Sequence, residues 1–257
     1  MSDLSRRLVD YHVHSTQSID GRSSVDEMCR RAVELNVMEI GFCEHVDFEP
    51  TDAGFGFFNY KRYSEAIDQA RSKFANELTI RKGVEVDYSE EYEIHIREWI
   101  EDKDFDFLVG SVHYIDHVAF DLQRKLTMPP EVAVRKYYEK IRQAAESRLF
   151  SVIGHFDVIR SYIPPGCDPA STASDIIDIA LERMIANRVH LEINSRRREN
   201  QEPFPSRNLI LRYLDKGGEL FSLGSDAHSA ERLGIGITQA MDLLRNLKSK
   251  AVHLIFE

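Results

Sequence analysis

Apolar and polar positions alternate along this chain in two rhythms. Short β-type runs, in which side chains repeat every two residues, are separated by longer stretches whose apolar positions repeat every three to four. The β-type runs are LVDYHVH (8 to 14), MEIGFCEH (38 to 45), LTIRKGVEV (78 to 86), FDFLVGSVH (105 to 113), SVIGHF (151 to 156), VHLEINS (189 to 195) and ELFSLGSDAH (219 to 228). Between the first two, residues 25, 28, 29, 32, 33 and 35 form an apolar helical stripe, and Ser24 with Glu27 makes a capping box at its start. Further helices are predicted at 60 to 77, 130 to 148, 172 to 187 and 206 to 216, the last stopped by Gly217 and Gly218. The stretch EEYEIHIREWIE (90 to 101) fits either rhythm. Seven strands alternating with helices imply βα units and a parallel sheet.

A parallel α/β sheet carries its chemistry beyond the C-terminal ends of its strands, whether it stays open or closes into a barrel. Histidines and carboxylates gather there. His12 and His14 end strand one with their side chains on one face, Glu44 and His45 end strand two, Glu85 lies in strand three, His113 ends strand four, His155 lies in strand five, and Asp226 and His228 close strand seven. In an open sheet the outermost of these ends would stand far apart, since each strand adds roughly 4.8 Å. One shared site is easier to build if the sheet curls shut, so a single-domain barrel spanning residues 1–257 is expected.

Taken singly, each of these residues reads more simply as a hydrogen-bonded loop histidine, a helix cap or a surface charge. Their concentration at one end of successive strands points instead to a metal site, for which imidazole and carboxylate are the usual catalytic ligands. Nine candidates, His12, His14, Asp20, His45, Glu85, His113, His155, Asp226 and His228, exceed what one ion needs and imply a cluster. His95, His190 and His253 read as structural, on a partly exposed element, inside strand six and in the tail, whereas His117 lies in the loop beyond His113 and is a candidate to line the pocket.

Composition narrows the setting. The chain has 257 residues, of which 42% are hydrophobic and 30% charged, as expected of a globular protein. Its formal charge is -10, from 43 acidic and 33 basic residues, which argues against an extended nucleic-acid surface. The three cysteines, Cys29, Cys43 and Cys167, have neither disulfide-framework nor zinc-ribbon spacing. No run has signal-peptide or membrane-spanning length, so a cytoplasmic location without a membrane partner is expected, with oligomeric state left open.

The motifs HVHSTQSIDG, GFCEH, GVEV, GSVH, IGHFD and GSDAH, in this order from residue 12 to 228, resemble those of the polymerase and histidinol phosphatase (PHP) superfamily. LVGSVHYID, IGHFDVIR, LEINS and LGSDAHS look most like its histidinol-phosphate phosphatases. The resemblance implies a distorted (β/α)7 TIM-like barrel with three divalent ions, zinc, iron or manganese. It places His12, His14, Glu85 and Asp226 on one ion, Glu85 with His113 and His155 on a second, and Asp20, His45 and His228 on the third. Three dications against Asp20, Glu85 and Asp226 leave a charge of about +3, so an acidic protein can still trap phosphate. The implied activity is hydrolysis of L-histidinol phosphate to L-histidinol and inorganic phosphate. Other readings are a phosphoesterase for nucleotides, short oligonucleotides or another small phosphomonoester, and a structural or proofreading module of a polymerase assembly. Asp226 and His228 are the candidates for proton transfer. Arg160 and the run Arg196 to Arg198, with Arg197 as the central choice, are candidate phosphate donors. Acidic loop residues such as Asp47, Glu49 and Asp121 are candidates to meet the histidinol moiety.

Overall fold

A computed structural model describes residues 8–119, 128–196, 202–247 and 253–255. Seven parallel strands follow one another around the sheet: β1 (Leu8–Val13), β2 (Val37–Val46), β3 (Thr79–Asp87), β4 (Phe107–Ser111), β7 (Val152–Ile153), β8 (His190–Asn194) and β9 (Leu220–Gly224). Between them run α1 (Val25–Glu34), α2 (Tyr60–Lys73), α3 (Glu93–Ile100), α4 (Pro130–Ser147), α5 (Pro169–Thr172), α6 (Ser174–Asn187) and α7 (Arg207–Asp215). Helices cover the strands outside, while the inward faces carry buried polar groups, among them His12, Glu85, Ser111 and Glu192, beside apolar ones.

The ring closes weakly. The first and last of the seven strands meet through one ladder bridge, Val13 with Ala227, where the His14 amide donates to the Ala227 carbonyl at 2.8 Å. Beside it the buried Asp10 carboxylate accepts from the amides of Ser225 (2.8 Å) and Gly234 (3.1 Å), substituting for further rungs. At its other end β9 pairs with β10 (His253–Leu254). The sheet therefore has eight strands among the described residues, and His253 belongs to a strand rather than a tail.

Side-chain alternation divides the barrel interior into two levels. Gly41, Gly83 and Phe107 share the inward face with His45, Glu85 and Ser111, and a Cβ on Gly83 would come within 2.7 Å of the Phe107 ring. The two glycines thus let one aromatic ring fill the lower barrel and leave the upper level to polar groups. Outside, Tyr63 of α2 is fully buried and its hydroxyl donates to the Gly83 carbonyl at 2.8 Å, with the Phe42 carbonyl 3.2 Å away.

Several expected boundaries shift for local reasons. Strand five shrinks to Val152–Ile153 because the chain turns away at His155, whose φ is +21°, into a 3-10 turn at Val158–Ser161. The ambiguous 90 to 101 stretch is helical: a turn at Glu90–Tyr92 runs into α3, whose one buried residue is Ile96. The 172 to 187 helix breaks at Ala173, which caps α5 before α6 begins. Beyond β10, two further elements were not expected: α8 (Ile237–Asn246), which buries Ile237, Ala240, Met241 and Leu244, and a hairpin of β5 (Tyr114–Ile115) and β6 (Val118–Ala119), turned by Asp116 and His117 at positive φ. Among the described residues no helix is long and apolar enough to cross a membrane.

Candidate metal centre

The strands' C-terminal ends converge on Glu85. Its carboxylate is almost wholly buried, takes a hydrogen bond from Ser111 Oγ at 2.5 Å, and has imidazole nitrogens of His155 at 3.0 Å, His45 at 3.1 Å, His12 at 3.4 Å, His14 at 3.6 Å and His113 at 3.7 Å. His14 Nε2 is also 3.6 Å from Asp226 Oδ1, while Asp20 lies 3.7 Å from His45 Nε2 and 3.0 Å from His228 Nε2. All nine expected ligand candidates therefore meet in one place. Three groups have donor atoms mutually within 4.8 Å: His12 with His14 and Asp226, Glu85 with His113 and His155, and His14 with His45 and His228. His14 stands in two of these, although the resemblance placed it in one.

The donors are prepared to accept an ion. His12 Nε2 and His14 Nε2, both facing Glu85, are buried and make no hydrogen bond, a costly state for polar atoms unless something binds them. Imidazoles also crowd one another, with His14 stacked 4.2 Å from both His45 and His228. One carboxylate cannot charge them all. Burial and the His228 and His45 rings hold His14 well below its ordinary range, and burial takes His113 down to about 3 despite Glu85. Burial opposes charge on His45 too, but Glu85 and then Asp20 prevail and lift it to about 10. Glu85 is itself held far below the usual carboxylate range, its burial outweighed by His12 and His45.

Other carboxylates aim these rings. Glu192 Oε1 lies 2.5 Å from His12 Nδ1, and its Oε2 accepts from the His155 amide at 2.6 Å. Glu44, an expected strand-end residue, accepts from Ser15 and Ser18 hydroxyls at 2.6 Å each, and Ser18 Oγ is 3.3 Å from His14 Nδ1. Asp87 accepts from the His113 amide at 2.6 Å. Glu192 and Asp87 are absent from the ligand set expected from sequence. Their signal is an acidic residue in, or at the end of, a buried strand, where it must have a partner.

The expected substrate contacts fare differently. His117 is half exposed and belongs to none of the three groups around Glu85; it lies 2.7 Å from Glu49 in a fourth group with Glu91. Arg160 is already engaged: its guanidinium meets the Glu202 carboxylate at 3.2 Å, the Glu202 carbonyl at 3.1 Å, the Pro203 carbonyl and Asp157, and lies over the Phe204 ring. Arg196 is half exposed with Nη1 3.3 Å from Asp226 Oδ2. Arg197, Arg198 and Asp121 lie outside the described residues. Asp47 is pushed up to about 6 by burial.

A family model of the PHP domain matches residues 10–196. The histidinol-phosphatase of Lactococcus lactis is 27% identical over 92% of this chain and 90% of its own length, and the probable histidinol-phosphatase of Thermotoga maritima is 24% identical over 93% and 91%. The crystal structure of a Lactococcus lactis histidinol phosphate phosphatase complexed with zinc, L-histidinol and phosphate superposes with a TM-score of 0.85, at 26% identity, over 96% of this chain and 95% of that one.

Proposed function

The chain belongs to the PHP domain family, and from that premise we propose that it is a phosphoric monoester hydrolase that converts L-histidinol phosphate to L-histidinol and inorganic phosphate. The observation that carries this reading is the convergence of six histidines and two further carboxylates, Asp20 and Asp226, around one buried glutamate, Glu85, in a fold shared over nearly its whole length with a phosphatase that binds zinc, L-histidinol and phosphate. In this reading His12, His14 and Asp226 would hold one ion, Glu85, His113 and His155 a second, and Asp20, His45 and His228 a third, with Glu85 shared. The ion identity is zinc, iron or manganese. Bound divalent ions supply the positive charge that activates water for attack on phosphorus and offsets charge on the phosphoryl oxygens.

The protein's own groups divide the remaining work. Arg196 is the phosphate donor we favour among the described residues of its run, because its guanidinium is half exposed beside Asp226. Asp226 Oδ2 faces donors from both Arg196 and Asn194, each at 3.3 Å, the arrangement of an ionised carboxylate that accepts a proton. Asp226 would relay that proton from the attacking water to the leaving alkoxide, because His228 is committed through Nε2 to the third ion site and through Nδ1–H to the Asp226 carbonyl at 3.0 Å. Arg160 would reach a phosphoryl oxygen by exchanging one of its present acceptors. Asp47 and Glu49 supply negative charge for the imidazole and ammonium of the substrate. No transmembrane helix is present among the described residues, and we assign the enzyme to the cytoplasm with a small-molecule substrate.

Phosphate release from zinc- or manganese-loaded protein tests this, with L-histidinol phosphate compared against nucleotides, sugar phosphates and bis-p-nitrophenyl phosphate. A kcat/KM for histidinol phosphate at least tenfold above every other compound is expected. A nucleotide or the diester as the best substrate would overturn the assignment, and so would failure to hydrolyse any monoester.

A further inference from the structure

The carboxylate of Glu192 is almost fully buried in β8, yet among the described residues its hydrogen bonds go to neither lysine nor arginine. Oε1 faces His12 Nδ1 at 2.5 Å, and Oε2 takes the His155 amide at 2.6 Å and Asn194 Nδ2 at 3.1 Å. A buried charge is costly unless its partners repay desolvation, and these partners belong to two different ligand groups. We propose that Glu192 is a positioning residue that sets both groups at once: it fixes the His12 tautomer through one oxygen and the backbone turn at His155 through the other. This assignment rests on reading the cluster as a metal centre.

The geometry at His12 is specific. With Nδ1–H donated to Glu192, the Nε2 lone pair is left free, and Nε2 is the atom that is buried without a hydrogen bond, 3.4 Å from Glu85. Such carboxylate–histidine pairs orient the ring and raise its basicity toward a metal. The other rings are held by weaker or neutral partners, His14 by Ser18 Oγ at 3.3 Å and His228 by the Asp226 carbonyl at 3.0 Å. At the second oxygen, the His155 amide bond steadies a residue whose φ of +21° is unfavourable outside glycine. Space has been cleared for the carboxylate, because a Cβ on Gly224 would collide with both Glu192 Oε1 and the Cβ of His12.

The test uses zinc alone, without substrate. Parent, Glu192→Gln and Asp20→Asn proteins are loaded with zinc and titrated with a graded series of chelators, while melting temperature is followed in the metal-free forms. Glu192→Gln is expected to weaken two of the zinc ions by roughly 10- to 100-fold, to leave the third within about threefold, and to melt within a few degrees of the parent. Asp20→Asn is expected to give the complementary pattern, with one ion weakened. In the zinc-loaded parent, proton spectroscopy with 15N-histidine should show a strongly downfield His12 Nδ1–H resonance that moves upfield in Glu192→Gln. Should the Gln variant fail to fold, Glu192→Asp keeps the charge but is too short to span both partners, and the same two ions should weaken. A uniform loss of all ions in step with melting temperature would make Glu192 merely structural and overturn the proposal. Unchanged zinc affinity, or absence of the downfield proton in the parent, would do so as well. A parent that binds no zinc would remove the metal-centre reading together with this one, whereas a parent that binds zinc as expected but does not hydrolyse histidinol phosphate counts against the proposed substrate only.

Discussion

Replacing Glu85 with glutamine changes one oxygen to an amide nitrogen at the point where five imidazoles meet. The five nearest ring nitrogens lie between 3.0 and 3.7 Å from the carboxylate, so an ion gripped by those rings sits within about 4 Å of the charge that would be lost. Two unit charges at that separation interact by about 4 kcal/mol at an effective dielectric constant of 20, and a dication doubles this to about 8 kcal/mol. Two effects offset the loss. The amide oxygen still presents a dipole, and the variant no longer bears the desolvation of a buried carboxylate, which is several kcal/mol. A net loss on the order of 3 to 5 kcal/mol per ion remains, or about two to four decades in affinity. Because Glu85 borders more than one donor group, more than one ion should be lost. The assay is elemental analysis after gel filtration against micromolar chelator, followed by phosphate release on the same fraction. We expect Glu85→Gln to retain at most one ion and to lose several orders of magnitude in kcat. Parental metal content and turnover in this variant would refute the reasoning.

Asp20, the most exposed of the proposed ligands, meets only His45 and His228, so Asp20→Asn should lower the content by about one ion and leave the others, as elemental analysis will read. Arg160→Ala should keep its metals but lose roughly a hundredfold in kcat/KM and in sensitivity to inorganic phosphate, the equivalent of about 3 kcal/mol; a large fall in melting temperature with unchanged kinetics would instead assign Arg160 to holding residues 202–204. Tyr63→Phe removes a buried donor to the Gly83 carbonyl and should cost about 1 to 3 kcal/mol in urea unfolding without altering metal content. His117 is held above its ordinary range by its bond to Glu49, while Glu49, despite some desolvation, is held down to about 2 by His117 and Thr51. The His117 contribution to hairpin stability should therefore be complete below about pH 6.5 and fade as pH rises through its elevated value. Glu49→Gln should return its titration, followed by NMR, toward about 6.5.

Much of the site was legible because parallel strands deliver residues to one end and two-residue alternation puts neighbours such as His12 and His14 on one face. The capping box at Ser24 and Glu27 forms as read, with both reciprocal hydrogen bonds present. What escaped depends on tertiary context. Strand five could not be bounded from sequence, since the residues after Ile153 have a strand-like composition but follow a turn fixed by the Glu192 bond to the His155 amide. The two-residue β10 has too little periodicity to detect, whereas α8 has apolar positions at 237, 240, 241 and 244 that a stricter helical count would have found. Arg160 lies in the 3-10 turn after His155, and no sequence pattern announces that residues 202–204 meet its guanidinium. Glu192 was visible as a charge in LEIN, yet its purpose emerges only when the closing ring brings β1 and the segment after β7 to the end of β8.

The seam between β1 and β9 gives the metal centre a mechanical meaning. Among the described residues the Val13–Ala227 bridge and the Asp10 carboxylate span that line, and the strands on its two sides carry His12 and lead to His14 on one and lead to Asp226 and His228 on the other. An ion shared by these residues is then a rivet across the weakest joint of the ring, replacing lateral backbone bonds the sheet does not form. Stripping the metals should loosen the barrel unevenly: amide exchange should accelerate first at residues 9–14 and 220–227, while the fully laddered β2 and β3 stay protected. Uniform acceleration around the ring would show that the joint holds without its rivet.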